Sequence, residues 1–190
     1  MARALVSVYD KSGLDGFASF LEKQKLEIVS SGGTARFLRE VGVKVTPVGA
    51  ITGFPEVLDG RVKTLHPVVH AGILARRNLR EDMRTLQEFS IQAIDWVVVN
   101  LYPFQEKLKE LQDEKELLEF IDIGGPTMVR AAAKNFHDVI VVCDPEDYGW
   151  IQEEYTEKGD LSTSSRRYLA SKVFTMMSEY DAAVAGFLQK

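Results

Sequence analysis

The sequence predicts an α/β fold, a three-layer Rossmann-like sandwich with a mostly parallel central sheet, followed by a C-terminal helical extension. The first observation is that five short apolar segments rich in β-branched residues alternate with segments of helical periodicity. That alternation predicts right-handed βαβ crossovers. The second is that one long helical stripe replaces the alternation near the end of the chain. The strands are predicted at residues 4–8, 26–29, 43–46, 96–99 and 139–142.

Helices are predicted from the spacing of apolar residues between these strands. Four apolar residues in segment 14–21 fall at i, i+3, i+4 and i+7, which gives one apolar stripe. The stripe of residues 34–41 is followed by Gly42, which can end the helix. We expect one domain over residues 1–190, with an α/β core at 1–145 and the helical extension at 146–190. Further helices are predicted at residues 81–89, 124–133 and 165–188.

Composition and charge exclude several classes of protein. The chain is 27% charged and 45% apolar, which is ordinary for a globular protein and excludes a disordered one. A net charge of -5 argues against non-specific nucleic-acid binding, which needs a basic face. The single cysteine, Cys143, excludes an internal disulfide and is expected to be buried, since it lies in an apolar run. With no signal peptide or membrane-spanning segment in the sequence, we expect a cytoplasmic protein with no membrane partner.

Polar residues and glycines follow three of the predicted strands, whose carboxyl ends should share one ligand-binding crevice. Ser31, Gly32, Gly33 and Thr34 follow the second strand and open a helix. Backbone N–H groups, a helix N-terminus and two hydroxyls can bind phosphate or carboxylate there. A helix cap with a tight Gly-Gly turn explains this segment equally well on its own. Lys11, after the first strand, favours the anion site.

Residues 60–67 form an unusual basic motif. Arg61 and Lys63 flank one apolar residue, so in an extended segment their side chains point to the same side. The pair could bind two anionic groups, or Lys63 could transfer a proton while Arg61 binds; a solvated basic loop is the alternative. His66 and His70 have no third ligand in view, so we expect no metal and assign both to structure or ligand orientation.

Two further segments carry candidate residues. Asn100 and Tyr102 follow the fourth strand, and Asp122 precedes a predicted helix whose end carries Lys134. A capping role for Asp122 and a helix-dipole role for Lys134 are the alternatives. Together the motifs indicate a small polyanionic ligand, but the residues alone identify no reaction.

In their order along the chain, these motifs resemble the inosine monophosphate (IMP) cyclohydrolase domain, the amino-terminal part of bifunctional purine biosynthesis proteins. The blocks at residues 60–67 and 121–135 are the most specific, and the resemblance covers essentially the whole chain. It implies the methylglyoxal synthase-like α/β fold, which a regulatory domain of carbamoyl phosphate synthetase also has. Further matching segments are residues 7–13, 31–34, 52–56, 70–74 and 100–104.

The resemblance implies a reaction, the last step of purine synthesis. The carboxamide nitrogen of formyl-aminoimidazole carboxamide ribonucleotide (FAICAR) attacks the formyl carbon, and loss of water gives IMP. No metal or organic cofactor is implied. The family is dimeric, and the stripe at residues 165–188 is the predicted dimer contact. Because the bifunctional protein continues into an aminoimidazole carboxamide ribonucleotide (AICAR) transformylase, a separate transformylase is the partner hypothesis.

The resemblance also implies roles for individual residues. Lys134 is the proton donor and acceptor, with Tyr102 and Asp122 as its relay. Lys63 faces the developing oxyanion or the carboxamide, with Arg61 beside it, and which lysine moves the proton stays open. Tyr9 stands where many relatives have serine, so its backbone is the expected contact. The implied substrate-binding residues are Tyr9, Asp10, Lys11, Ser31, Gly32, Gly33, Thr34, Arg61, Val62, Lys63, Thr64, Val99, Asn100, Asp122 and Ile123.

Two other functions remain open from the sequence. A methylglyoxal synthase-like lyase would share the fold and the phosphate-binding turn, but it would not need Arg61, Lys63 and Asp122 together. A nucleotide-sensing regulatory module would bind IMP without turning over its precursor.

Overall fold

The structure, a computed structural model, describes residues 2–55 and 57–189, apart from the side chain of Asp59. Glu56 of the motif at 52–56, and the two ends of the predicted domain, Met1 and Lys190, lie outside the described residues. The predicted α/β class is confirmed by a five-stranded parallel sheet of order β3-β2-β1-β4-β5. The strands are β1 (Arg3–Ser7), β2 (Glu27–Ser30), β3 (Val45–Pro47), β4 (Trp96–Val99) and β5 (Ile140–Val142).

The sheet is covered by helices on both faces, which explains why its strands are apolar throughout. Leu5, Val97 and Val141 are almost completely buried although they lie in three different strands. Successive strands are added on one side of β1 as far as β3 and on its other side from β4. This reversal opens a crevice at the carboxyl ends of β1 and β4, where open α/β sheets bind ligands.

Helices follow most of the strands, and the predicted helices are all present. The C-terminal residues of the chain form α10, which packs on α8, α6 and β5. The helices are α1 (Leu14–Lys23), α2 (Gly32–Glu40), α3 (Val48–Thr52), α4 (Pro67–Leu74), α5 (Arg80–Glu88), α6 (Phe104–Glu110), α7 (Glu114–Leu118), α8 (Gly124–Lys134), α9 (Tyr148–Lys158) and α10 (Thr163–Leu188), with 3-10 turns at Leu58–Gly60 and Pro145–Asp147.

The observed boundaries of helices and strands differ from the predicted ones where apolar residues lie in a loop. Val43 was predicted to begin β3, but its N–H donates to the carbonyl of Leu38 (2.9 Å) and completes the end of α2, where Gly42 has φ +86°. The strand therefore begins only at Val45. Helix α2 begins two residues earlier than predicted, at Gly32. Helices α3, α6, α7 and α9 are short or bury few apolar residues, so periodicity did not reveal them.

The long helix α10 confirms the predicted C-terminal stripe. Leu169, Val173 and Met177 are buried along it, and the hydroxyl of Ser162 caps its N-terminus by accepting from Ser165 N (3.1 Å). Cys143 is buried as expected, and burial raises the pKa of its thiol to about 12. None of the helices in the described part of the chain combines the length and apolar character that crossing a bilayer requires.

Candidate functional site

A cleft with two connected lobes lies at the carboxyl ends of β1, β2 and β4. The larger lobe has a volume of about 410 Å³ and the smaller about 180 Å³. Ser7, Lys63, Tyr102 and Asp122 line both lobes and therefore lie where they join. The larger lobe alone is big enough for a small organic ligand. Both lobes are mainly polar in their lining residues, as a charged ligand requires.

The smaller lobe is closed by the turn between β2 and α2. Gly32 adopts φ +55°, a left-handed conformation that glycine reaches without strain, and the first N–H groups of α2 have no partner within the helix. The hydroxyl of Ser31 is buried, and it has no hydrogen-bond partner among the described residues. A buried hydroxyl without a partner costs about 1–3 kcal/mol, so this atom is suited to bind a ligand. The turn has the features of an anion site.

The hydroxyl of Thr34, by contrast, is already engaged. It accepts a hydrogen bond from Val8 N (3.0 Å) and donates to Val8 O (2.9 Å), and the residue is buried. Thr34 therefore fixes the end of β1 against α2, and only its backbone N–H remains for an anion. The predicted contact at Thr34 stays a prediction, and a contact through its hydroxyl would have to replace the hydrogen bond to Val8 O.

The side-chain amide of Asn100 is likewise occupied by hydrogen bonds to the protein backbone. Its Oδ1 accepts from the backbone N–H groups of Tyr9 (2.7 Å) and Asp10 (3.0 Å), and its Nδ2 donates to the carbonyl of Asp10 (2.9 Å). This amide joins the loops that follow β1 and β4, the two strands at the crevice. Asn100 lines the smaller lobe, but its polar atoms hold the backbone of the site together.

Two lysines supply positive charge to the cleft. Lys11 lines the smaller lobe, and its Nζ donates to the carbonyl of Tyr9 (3.1 Å). Lys63 lies close to the anion turn, since a Cβ placed on Gly32 would be 3.4 Å from Lys63 Nζ. The Lys63 ammonium also acts electrostatically on the carboxyl of Asp122. Lys63 therefore lies between the anion turn and that carboxyl.

Asp122 lies just before the N-terminus of α8, at the junction of the lobes. Its Oδ1 accepts from Gly125 N (2.9 Å), and burial raises the pKa of its carboxyl, although hydrogen bonding and Lys63 act to lower it. Two glycines make this packing possible. A Cβ on Gly125 would be 2.4 Å from Asp122 Oδ2, and one on Gly124 would be 2.6 Å from Thr64 Oγ1.

Tyr102 completes the group at the junction. Its ring forms edge contacts with Tyr9 (centroids 5.3 Å apart) and with Phe120 (6.2 Å). Burial, and secondly the negative charge of Asp122, raises the pKa of its phenol. Tyr102 is therefore a protonated hydrogen-bond donor at neutral pH. The expectation that Tyr9 contributes through its backbone stays untested, but its ring supports Tyr102.

The rim of the larger lobe carries an ion pair between Arg61 and Glu119. Both side chains are more than half exposed, so the pair contributes little to stability. The predicted histidines have structural contacts. His66 Nδ1 accepts from Val68 N (3.2 Å) and caps α4, and His70 is hydrogen-bonded to the backbone of Thr64. Burial lowers the pKa of His70.

Lys134 is not brought to this cleft. It is exposed at the last position of α8, while the cleft contains the first. Lys134 lines neither lobe, and six residues of helix, at about 1.5 Å each, separate it by about 9 Å along the axis from Met128, the lining residue of α8 nearest to it in the sequence. Within one chain, the geometry gives no support to the proton-transfer role that the resemblance implies for Lys134.

Four other predicted contacts are not among the residues that line the two lobes: Asp10, Gly32, Val62 and Val99, of which Gly32 lies in the anion turn. Val99 is buried in β4, so only its backbone could reach a ligand. The carboxylate of Asp10 is engaged with Ser12, whose hydrogen bonds lower the pKa of Asp10. Val62 lines a separate, mostly apolar cavity of about 280 Å³ behind Lys63.

Several lining residues were not among the predicted site residues. Ser7 ends β1, but the predicted strand extended over it and concealed its position at the strand end. Gly124 and Gly125 are recognisable in the sequence only as a helix start. The remaining additions are Val8 in the smaller lobe and Gly60, Leu118, Glu119, Ile121 and Met128 in the larger. The predicted residues Arg61, Thr64 and Ile123 do line the larger lobe.

The burial of Asp122 predicts that Asp122→Asn stabilises the protein at neutral pH. Because the pKa is raised on folding from its ordinary value of 3.8, the native state binds the proton more tightly, and stability falls as pH rises through the raised pKa. Asparagine does not titrate and keeps the acceptor for Gly125. We expect a gain of about 0.5–2 kcal/mol in the free energy of unfolding at pH 7.5, the usual range for a stabilising substitution. Urea unfolding at several pH values measures it.

The difference should shrink as the pH falls through 3.8, because below that value Asp122 is largely protonated in both states. Asp82→Asn is the matched control, and it should lower the stability at neutral pH instead of raising it. Hydrogen bonds from Arg76 lower the pKa of Asp82 to about 2, so the folded state favours the ionised carboxyl. If Asp122→Asn raised the free energy of unfolding equally at pH 7.5 and at pH 4, burial would not be raising the pKa of the Asp122 carboxyl.

The arrangement can bind an anion and move protons beside it. Two helix N-termini, Lys11 and Lys63 favour negative charge. A lysine, a phenol and a carboxyl with a raised pKa then meet at the junction of the lobes. In the parts of the chain that the structure describes, no cluster of three or more His, Cys, Asp or Glu side chains could hold a metal ion.

Comparisons with known proteins match both halves of the chain. A family model described as "MGS-like domain" matches residues 13–127, and one described as "AICARFT/IMPCHase bienzyme" matches residues 132–190. The bifunctional purine biosynthesis protein PurH of Clostridium beijerinckii is 56% identical over 186 residues, and that of Aquifex aeolicus is 54% identical over 188. These alignments cover 98% and 99% of this chain, and 37% of each relative.

A solved structure described as "Crystal structure of ForH" is similar over almost its whole length. It is 36% identical, with a TM-score of 0.84, and the match covers 97% of this chain and 96% of that one. The chain thus spans little more than a third of the length of the curated relatives, but nearly all of this solved structure.

Proposed function

The chain belongs to the MGS-like domain family, and from that premise we propose that it is an IMP cyclohydrolase, which closes the ring of FAICAR with loss of water. The observation that carries the proposal is one cleft in which an anion turn adjoins Lys63, Tyr102 and Asp122. A nucleotide needs an anion site for its 5′-phosphate, and a dehydrative ring closure needs groups that transfer protons. The matched region of bifunctional purine biosynthesis proteins supports the same activity.

The smaller lobe suits the phosphate. Backbone N–H groups at the start of α2 and the unpartnered hydroxyl of Ser31 would bind its oxygens, with Lys11 and Lys63 balancing the charge. The base and its two reacting groups would then occupy the larger lobe, next to Thr64 and the N-terminus of α8. Arg61 would exchange its exposed partner Glu119 for a polar group of the substrate.

The reaction needs positioning and proton transfer. A carboxamide nitrogen is a weak nucleophile, so it must be held against the formyl carbon. When the C–N bond forms, a proton leaves the carboxamide nitrogen and the formyl oxygen becomes a hydroxyl. This hydroxyl then takes up a second proton and leaves as water, while the formamido nitrogen loses a proton. We propose that Lys63 donates to the oxygen and that Tyr102 and Asp122 relay protons.

Several wider properties are also proposals. We propose one domain over residues 1–190, supported by the packing of α10 on α8, α6 and β5. The proposed enzyme uses no metal or organic cofactor, works in the cytoplasm, forms a homodimer and receives its substrate from an AICAR transformylase. Exposed apolar side chains on α10, such as Phe174 and Leu188, support a contact with a second copy.

The test is to mix the purified chain with FAICAR, without metal or folate, and to follow IMP by its absorbance. We expect product at a rate far above the uncatalysed one. Binding of IMP without turnover would favour the regulatory module. Release of inorganic phosphate from a phosphorylated substrate would favour the lyase. Either result would overturn the proposal.

A further inference from the structure

One side chain of the C-terminal helix touches the loop that carries Asp122. The hydroxyl of Tyr180 accepts a hydrogen bond from Asp122 N (2.8 Å) and donates one to the carbonyl of Phe120 (3.2 Å). Tyr180 is only 8% exposed. A single hydroxyl therefore bridges two backbone groups that are two residues apart, and it fixes the direction of the chain between them.

The ring of Tyr180 is itself held by a contact with α6. It forms an edge contact with Phe104 (centroids 6.1 Å apart), which is 1% exposed and begins α6. Phe104 in turn contacts Phe187 of α10 (5.7 Å). Phe104 N donates to the carbonyl of Tyr102 (2.8 Å), so Tyr180 contacts a residue that is hydrogen-bonded to the backbone of Tyr102, as well as the backbone of Asp122.

Neighbouring residues of α10 bind the helices α6 and α8. Asp181 forms an ion pair with Arg130 of α8, and the carbonyl of Glu179 accepts from Gln105 Nε2 of α6 (3.3 Å). Residues 179–181 of α10 therefore contact α6, the Asp122 loop and α8. Tyr180 is the one whose contact reaches the loop.

We propose that Tyr180 is a positioning residue, whose hydroxyl holds residues 120–122 so that the Asp122 carboxyl faces the junction of the two lobes. Its effect on turnover rests on the proposed function of the site, but its effect on the loop does not. Helix α10 lies outside the stretch that matches the MGS-like model. The long C-terminal helix thus belongs to the working site, since it supplies the support for a loop of the α/β core.

The chemistry of the bridge explains why a tyrosine is needed. Burial raises the pKa of Tyr180, so its hydroxyl keeps its proton and donates to Phe120 O at neutral pH. Phenylalanine would keep the ring contacts but leave an N–H and a carbonyl without this partner. These groups would then seek water, and the loop would relax around Asp122.

The test compares Tyr180→Phe with Tyr168→Phe, which removes an exposed hydroxyl from the same helix. We expect Tyr180→Phe to lower kcat by about 10- to 100-fold, the cost of a misplaced reacting group, while KM changes by less than about threefold. Hydrogen exchange of the Asp122 amide should become faster in Tyr180→Phe than in Tyr168→Phe. Circular dichroism and thermal unfolding show how much of each protein is folded.

Each outcome decides the proposal. A fall in kcat with a folded protein and a faster Asp122 amide supports it. An unchanged kcat, or one that falls only in proportion to the unfolded fraction, overturns it. If the wild-type chain does not convert FAICAR, the proposed function is wrong and amide exchange alone decides. Equal exchange of the Asp122 amide in the two variants would then reject the positioning role.

Discussion

Replacing Lys63 by methionine is expected to abolish most of the turnover of FAICAR. Lys63 is the lysine that lines both lobes, between the anion turn and Asp122, and methionine keeps much of its length without its charge or protons. General acid–base groups contribute about 10²–10⁴-fold, so kcat should fall by that factor. Steady-state kinetics with FAICAR measure the loss. Calorimetry with IMP should show a much smaller loss of affinity.

Two other lysines make this result specific. Lys44→Met removes an exposed lysine outside the cleft and should leave kcat unchanged. Lys134→Met tests the resemblance against the geometry of a single chain. If Lys63→Met retained a normal kcat while Lys134→Met lost it, Lys134 would be the proton-transfer residue and would have to reach a site in another chain.

The strands were predictable because burial on both faces leaves a local signal. Residues 96–99 are four apolar residues in a row, and the predicted strand agrees with β4 at both ends. Residue 43 shows the limit of this signal. An apolar residue can be buried by a helix end as well as by a strand, and only the hydrogen bond from Val43 to Leu38 distinguishes the two.

The location of the site was predictable for a related reason. In a parallel sheet the carboxyl ends of strands converge, so the residues that follow them could be assigned to one crevice. What a side chain does there depends on partners far away in sequence. Thr34 bonds to Val8, 26 residues away, and Asn100 to Tyr9, 91 residues away. No local pattern shows that these groups are already occupied.

The contact between α10 and the Asp122 loop was the least predictable feature of the site. In the sequence, Tyr180 is one member of an apolar stripe, and its hydroxyl leaves no trace in the periodicity. The contact with Asp122 exists because α10 returns across the chain to α6 and α8. A pattern with a period of three or four residues identifies the buried face of a helix, but not the loop that it meets.

Gly125→Ala is expected to damage the site through a single methyl group. The added Cβ would lie 2.4 Å from Asp122 Oδ2 and 2.6 Å from Leu101 Cδ2, closer than atoms can approach. The backbone at this position suits alanine, since its φ is not positive, so the effect comes from crowding alone. Asp122 must turn away or the N-terminus of α8 must move. We expect kcat to fall about 10²-fold, with a stability loss of about 1–3 kcal/mol.

The control is Gly149→Ala, in the first turn of α9, where an added Cβ would meet nothing within 4 Å. It should keep full turnover and gain up to about 1 kcal/mol from the higher helix propensity of alanine. Circular dichroism and IMP binding separate a displaced carboxyl from an unfolded chain. A folded Gly125→Ala protein with normal kcat would mean that turnover tolerates movement of Asp122. The roles of both Asp122 and its support by Tyr180 would then be wrong together, because both depend on the position of that carboxyl.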